Sequence, residues 1–251
     1  MAGILEGKVA LVTGAGSGIG RATAVRLARE GATIALVGRE AAKLEETMRG
    51  EPFASGAPGS VYAADIGDPA QVAALARTVM EQHGRLDILI NAAGMNVSPR
   101  SIADGSIEDW QRVLAANVTG AYLLTKAFLP AMRAATGGAT VVNVVSDSGL
   151  RGNNFAGVAY IASKFGMRGL TEAINAEERH NGIRATSVYP GEVNTPILDR
   201  RPVPPPPEAR AKMLQAEDVA ECIALTVTLP PRAIIEDLVV RPAVQDWVSR
   251  R

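Results

Sequence analysis

Val9-Ala10-Leu11-Val12-Thr13-Gly14-Ala15-Gly16-Ser17-Gly18-Ile19-Gly20 joins an apolar run to a glycine-rich turn, and an amphipathic stretch follows at once. Residues 9–13 read as a strand, and residues 19–30 as a helix that starts inside the turn. Glycine lets a backbone turn tightly and approach a ligand with no Cβ in the way. The free N–H groups of a helix start then face any anion placed there. A bare strand-to-helix corner needs no ligand. Between the first strand and first helix of an alternating chain, however, such a turn cradles the pyrophosphate of a dinucleotide. On this reading Gly14, Gly16, Ser17, Gly18, Ile19 and Gly20 form the phosphate loop.

The alternation continues outward from that turn. Strands are expected at 33–37, 60–64, 86–90, 139–145, 183–189 and 238–241, and helices at 41–49, 69–83, 107–134, 159–180 and 217–229. The strands are rich in Val, Ile and Ala and hardly alternate, as strands covered on both faces do. The fold class expected is α/β: a single doubly wound parallel sheet with helices on both faces, in one domain over 1–251. Two stretches break the rhythm. Residues 51–59 are a Gly/Pro/Ser-rich loop, and residues 200–207 carry prolines at 204, 205, 206 and 207. The second reads as a loop or polyproline segment rather than a helix. It is either a stiff surface connection or a lid, inside a substrate loop near 192–215.

Composition excludes several classes. Among 251 residues, 26 basic and 26 acidic side chains leave a formal net charge of zero, so nothing favours nucleic acid as a partner. The one cysteine, Cys222, rules out a disulfide within the chain and reads as a small buried hydrophobe. No leader pattern opens the sequence, and no apolar run approaches the roughly 20 residues a membrane helix needs. A cytoplasmic protein without membrane contact is expected. His83 and His180 stand alone near helix ends and read as solvated, so no metal site is expected. Trp247 and Val248 either cover a neighbouring subunit or seal the last strand.

In a dinucleotide-binding sheet, the end of the second strand meets the adenosine ribose. A carboxylate there accepts from a 2′-hydroxyl, whereas an arginine accommodates a 2′-phosphate. Here Gly38 leaves no carboxylate and Arg39 follows at once. The pair favours NADP(H), with NAD(H) still open, because Arg39 can also be an ordinary solvated residue.

Tyr160-Ile161-Ala162-Ser163-Lys164 opens a predicted helix, and the spacing of four sets Tyr160 and Lys164 one turn apart on one face. A free phenol, with a pKa of about 10, is a poor base near neutrality. A neighbouring ammonium should lower that value, and a tuned phenol can exchange a proton with a substrate.

With these residues assembled, the sequence resembles the short-chain dehydrogenase/reductase family over roughly residues 5–242. Thr13-Gly14-Ala15-Gly16-Ser17-Gly18-Ile19-Gly20 is similar to its Thr-Gly-x-x-x-Gly-x-Gly motif. Asn91-Ala92-Ala93-Gly94 is similar to Asn-Asn-Ala-Gly, with Ala92 in place of the second Asn. Asn117, the Tyr160/Lys164 pair and Pro190-Gly191-Glu192-Val193-Asn194-Thr195 follow in family order. The resemblance implies a Rossmann-type fold and an NAD(P)(H)-dependent oxidoreductase interconverting a secondary alcohol and a ketone, or an aldehyde. Its small-molecule substrate would be that carbonyl or alcohol. Tyr160 would be the acid/base, Lys164 would hold the nicotinamide ribose and lower the phenol's pKa, and Asn117 would anchor a proton-relaying water. Asp65 and Ile66 would meet the adenine, and Asn91, Ala92 and Gly94 the adenosine side. Pro190, Gly191, Val193 and Thr195 would touch the nicotinamide side. A family serine holds the substrate oxygen: Ser146 fits better than Ser148, which lies twelve residues before Tyr160. The C-terminal segment resembles the branch containing 3-hydroxy acid and serine dehydrogenases and carbonyl reductases. The resemblance also implies a homodimer or homotetramer packed through 107–134 and 159–180. Arg100, Arg151 and Arg200 are candidate partners for a substrate carboxylate. A non-catalytic NADP-binding sensor or structural subunit is the rival reading, and an NDP-sugar epimerase fits the glycine spacing less well.

Overall fold

A computed structural model describes residues 3–201 and 203–244; Trp247 and Val248 lie outside them. The strands are β1 (Val9–Thr13), β2 (Thr33–Gly38), β3 (Gly59–Ala63), β4 (Ile88–Asn91), β5 (Ala139–Val144), β6 (Ile183–Pro190), β7 (Val193–Asn194), β8 (Leu214–Gln215) and β9 (Asp237–Val240). Seven of them form one sheet in the order β3-β2-β1-β4-β5-β6-β9, every neighbouring pair parallel. β7 and β8 make a separate two-stranded pair, which the sequence pattern did not reveal because each strand is only two residues long.

The helices are α1 (Gly18–Arg29), α2 (Ala41–Arg49), α3 (Pro69–His83), α4 (Ile107–Leu114), α5 (Gly120–Arg133), α6 (Val158–Glu178), α7 (Pro207–Arg210) and α8 (Ala216–Thr228). Successive strand residues feed two separate cores, which explains the unbroken apolar strands. Ala10, Val12, Ile34 and Leu36 pack with Ala24 and Leu27 of α1 and Val219 and Ile223 of α8. Val9, Leu11, Ala35 and Val37 point the other way, toward Leu75 and Val79 of α3, Leu124 and Phe128 of α5 and Ile174 of α6. Each side chain of a central strand is thus buried by one helical layer or the other.

Five features depart from the sequence pattern. The fourth strand begins at Ile88, not at 86; just ahead of it the buried Asp87 sets its carboxylate at the amino ends of β1 and β4. There it accepts from Val9 N at 2.9 Å and from Lys8 and Arg85. The expected continuous helix over 107–134 is interrupted by a wider π turn, Ala115–Thr119. Pro207 opens α7 instead of lying in a purely extended segment; at the first helical position its missing N–H costs no bond. Cys222 is partly exposed rather than buried, and His83 is held by the Tyr62 hydroxyl at 2.9 Å rather than being solvated.

Candidate active site

Strand order reverses between β1 and β4, and sheets of this kind open a crevice at the carboxyl ends of the strands there. A cleft of about 460 Å³ occupies it. The glycine-rich turn forms one wall. Gly14 has φ +67, and a Cβ on Gly20 would stand 2.4 Å from the Gly14 carbonyl oxygen, so only glycine lets the turn close. Thr13 ties the turn to β4: its hydroxyl donates to Ile90 O at 3.2 Å and accepts from the amides of Ala92 and Ala93 at 3.0 Å. Ala92 therefore braces the sheet through its backbone, which an alanine does as well as an asparagine.

Ser17 precedes α1, yet its side chain makes no capping bond and no acidic residue enters the first turn. Gly18, Ile19 and Gly20 line the cleft ahead of the first intrahelical bond, Arg21 N to Ser17 O. An anion there would meet unpaired amides and no competing carboxylate. Gly16 stands behind this wall, where a Cβ would come within 2.9 Å of Lys43 Cβ, so α2 packs directly on the turn. The donor set fits the pyrophosphate of a dinucleotide.

Of the residues expected around the adenosine, Ala92 and Gly94 line the cleft, whereas Arg39, Asp65, Ile66 and Asn91 do not. Arg39 is exposed just beyond β2, while Glu40 is taken by Lys43 at 2.8 Å. Asp65 accepts from Gly67 N at 2.9 Å and shapes the loop after β3. Ile66 is buried against Gly120, where a Cβ would stand 2.7 Å from it. The side chain of Asn91 does not reach the cleft; Nδ2 donates to Asn143 Oδ1 at 2.8 Å and holds β4 to β5.

The opposite wall carries Ser146, Tyr160 and Lys164, with Gly94 between turn and lysine. A Cβ on Gly94 would lie 3.7 Å from Lys164 Nζ and 3.5 Å from Asn117 Oδ1. Lys164 is 4% exposed; Nζ donates to Val144 O at 2.9 Å and to Met167 Sδ at 3.4 Å. An ammonium has three N–H donors, so one remains for a ligand in the cleft. Asn117 sits in the π turn, and the wider turn brings its amide to the loop after β4. Its Oδ1 accepts from Met95 N at 2.7 Å, and Nδ2 donates to Met95 O at 3.0 Å and Ser163 Oγ at 2.9 Å. Ser163 in turn donates to Tyr160 O at 2.7 Å.

Between the two serines the geometry separates roles. Ser146 neighbours the Tyr160 phenol and lowers its pKa, while its Oγ accepts from Ser148 N at 3.1 Å. Ser148 is buried and accepts from Asn153 Nδ2 at 3.0 Å, holding the following loop.

The expected drop in the pKa of Tyr160 does not occur here. Burial pushes the phenol up, and the Ser146 hydroxyl offsets only part of that. Burial also pushes the Lys164 ammonium down to about 7. A lysine that is itself disfavoured in its charged form exerts little pull on the phenol.

Pro190, Gly191, Val193 and Thr195 close the third side. A Cβ on Gly18 would touch the Thr195 methyl at 3.1 Å, so this segment reaches across to the phosphate loop. Of the arginines considered as carboxylate partners, Arg100 and Arg151 line the cleft but Arg200 is exposed away from it. Arg201 takes its place, paired with Glu192 at 2.9 Å. Only the turn geometry of Pro196–Arg200 decides between neighbouring arginines, and no sequence signal carried it. Among the described residues no cluster of His, Cys, Asp or Glu could hold a metal, and no helix is long and apolar enough to cross a membrane.

Comparison with known proteins agrees with this geometry. Residues 8–203 match the short chain dehydrogenase family model. The chain is 31% identical to an uncharacterized oxidoreductase of Staphylococcus epidermidis, over 94% of this chain and 97% of that protein. It is 34% identical to a 3beta-hydroxysteroid dehydrogenase of Mediterraneibacter gnavus, over 79% and 70%. Among solved structures, a metagenomic short-chain oxidoreductase in complex with NADP is 33% identical with a TM-score of 0.82. That match covers 96% of this chain and 100% of the other.

Proposed function

The chain belongs to the short-chain dehydrogenase/reductase family of oxidoreductases, and from that premise we propose that it interconverts a secondary alcohol and a ketone, or an aldehyde, using NADP(H) in preference to NAD(H). One observation carries the reading: Tyr160 stands beside Ser146 in a cleft whose other wall is an uncapped, acid-free helix start. When bound, the nicotinamide cofactor supplies or receives the hydride.

Gly14, Gly16, Ser17, Gly18, Ile19 and Gly20 hold the pyrophosphate, and Arg39 favours a 2′-phosphate. Asp65, Ile66, Asn91, Ala92 and Gly94 shape the adenosine side, and Pro190, Gly191, Val193 and Thr195 the nicotinamide side. In reduction, the Ser146 and Tyr160 hydroxyls both donate to the carbonyl oxygen, and Tyr160 gives up its proton to that oxygen as charge develops there. The raised pKa of the phenol keeps it protonated and ready to donate. Lys164 uses its third N–H on the ribose hydroxyls, and once paired there its charge is favoured and stabilises the phenolate left behind. Asn117 keeps the loop after β4 against Ser163 and links the lysine to solvent through a water. The segment near 192–215 covers the substrate.

The protein works in the cytoplasm as a homodimer or homotetramer. Half-exposed Tyr122 on α5 and Phe165 on α6 supply apolar surface for that contact.

A panel of ketones and aldehydes assayed with NADPH and with NADH tests the proposal. Turnover by the wild type and its loss in Tyr160→Phe, with NADPH binding kept, is the expected result. Retained NADPH binding with no hydride transfer to any member of the panel would instead favour a non-catalytic cofactor-binding subunit.

A further inference from the structure

Arg100 is the unusual charge in the cleft. Its guanidinium is half-buried, and among the described residues each of its hydrogen bonds ends on a main-chain carbonyl. Nε donates to Val97 O at 3.0 Å, Nη1 to Phe155 O at 3.1 Å and Nη2 to Arg200 O at 3.4 Å. Carbonyls orient a guanidinium without neutralising it. A guanidinium has five N–H donors, so two remain. A partly desolvated cation with free donors is a site for an anion.

The position of Arg100 relative to Tyr160 is set by the backbone. Val158 N, two residues before the tyrosine, donates to Arg100 O at 3.2 Å. Asn96 Nδ2 donates to Ala156 O at 2.8 Å. Gly157, at φ +88, leaves room where a Cβ would come within 2.7 Å of Arg100 Cβ. The turn that presents the phenol therefore also fixes the guanidinium. Arg201 approaches from the loop after β7; its charge acts on both Arg100 and Tyr160. The lining carries three arginines, Arg100, Arg151 and Arg201, against two carboxylates, Asp147 and Glu192. Glu192 is engaged by Arg201, so the side of the cleft near Arg100 keeps net positive charge.

We infer that the substrate is a carbonyl compound bearing a carboxylate, which Arg100 receives with Arg201 while Ser146 and Tyr160 hold the carbonyl oxygen. The inference rests on the oxidoreductase reading proposed above and adds the substrate class to it.

The test uses full-length protein with pyruvate, acetoacetate and levulinate, whose carbonyl and carboxylate lie progressively further apart, and the methyl ester of each. Turnover with NADPH is measured beside calorimetric titration of the same acids into protein loaded with NADP+. At least one acid should bind and turn over better than its ester by about 10- to 100-fold, as expected of a charged hydrogen-bonded pair. Arg100→Met should abolish that preference, read as the ratio of acid to ester kcat/KM, and Arg100→Lys should restore part of it. Arg201→Met leaves the carbonyl contacts of Arg100 intact and should reduce the preference even if Arg100→Met folds poorly. Equal handling of acids and esters by the wild type, or an acid preference untouched in these variants, overturns the carboxylate assignment alone. Turnover of none of the six compounds, with acids still bound through Arg100, overturns the oxidoreductase reading and leaves the anion site standing.

Discussion

Lys164 Nζ donates to the carbonyl oxygen of Val144 at 2.9 Å and stands 5.5 Å from the centre of the Tyr160 ring. Neither neighbour carries a negative charge, so the cost of burying the ammonium is unbalanced and its pKa falls to about 7. In the unfolded chain the same group titrates near its ordinary value of about 10.4. Between these values the unfolded state binds more protons, so this lysine makes the cofactor-free protein more stable as pH rises from about 7 toward 10. Below about 7 both states are protonated and the burial cost is present in full. Above 10 the raised pKa of Tyr160 works in the opposite direction, which bounds the useful window. Lys164→Met removes the cost, on the order of a few kcal/mol. Melting curves of cofactor-free protein should show the variant more stable at pH 7, with the gap narrowing toward pH 10. A gap that does not change with pH would sink this account of the lysine.

Ser146 and Ser148 are distinguished by what each hydroxyl already does. Ser146 stands beside the phenol, whereas Ser148 is committed to Asn153. If Ser146 donates to the developing oxyanion, Ser146→Ala should lower kcat by about 100- to 1,000-fold, the usual effect of removing such a donor. Ser148→Ala should lower kcat far less and instead loosen the loop, seen as a lower melting temperature. Steady-state kinetics on both variants with a common ketone decide the matter, and a larger loss of kcat in Ser148→Ala would reverse the assignment.

Asn117 makes three side-chain hydrogen bonds while only 1% exposed. Asn117→Ala leaves Met95 N, Met95 O and Ser163 Oγ short of a partner. Unpaired buried groups cost about 1–3 kcal/mol each, so the variant should lose several degrees of thermal stability as well as turnover. Asn117→Asp keeps the acceptor for Met95 N but loses both Nδ2 donors, to Met95 O and Ser163 Oγ, and sets a buried carboxylate against the Met95 carbonyl. It should therefore be no more stable than the alanine variant in a thermal melt near neutral pH; a variant as stable as wild type would mean that Met95 O and Ser163 Oγ need no such donors.

The central strands were legible because each is buried on both sides, which forces runs such as Val9-Ala10-Leu11-Val12 and leaves no polar phase to confuse the pattern. The glycine turn was legible because Gly14 and Gly20 meet backbone, and backbone contacts admit no substitute. What was hidden depends on long-range geometry. The π turn at Ala115–Thr119 is one wider turn in a chain that stays helical on both sides, and its five residues include no glycine or proline to mark it; it carries Asn117 to Met95. The pKa values of Tyr160 and Lys164 depend on how deeply both are enclosed, which a spacing of four residues does not state. Choosing Arg201 over Arg200 required the turn after Thr195.

Arg39 offers a sharper test of cofactor choice than the fold does. It is exposed beyond β2, while its neighbour Glu40 is drawn to Lys43 at 2.8 Å. A 2′-phosphate would find the Arg39 charge free of that pairing, whereas a 2′-hydroxyl would find no carboxylate acceptor at Gly38. Arg39→Asp replaces attraction by repulsion, so NADPH binding should weaken by about 10- to 100-fold with NADH binding held or improved. Fluorescence titration of each cofactor measures this without turnover. Because the arginine is exposed, salt should screen it over about 8 Å at physiological ionic strength, and added salt should erode the NADPH preference of the wild type more than that of the variant. Lys43→Ala, which frees Glu40 to compete for Arg39, should shift the preference in the same direction but less. Equal effects of Arg39→Asp on the two cofactors would show that the 2′-phosphate is not read at this position.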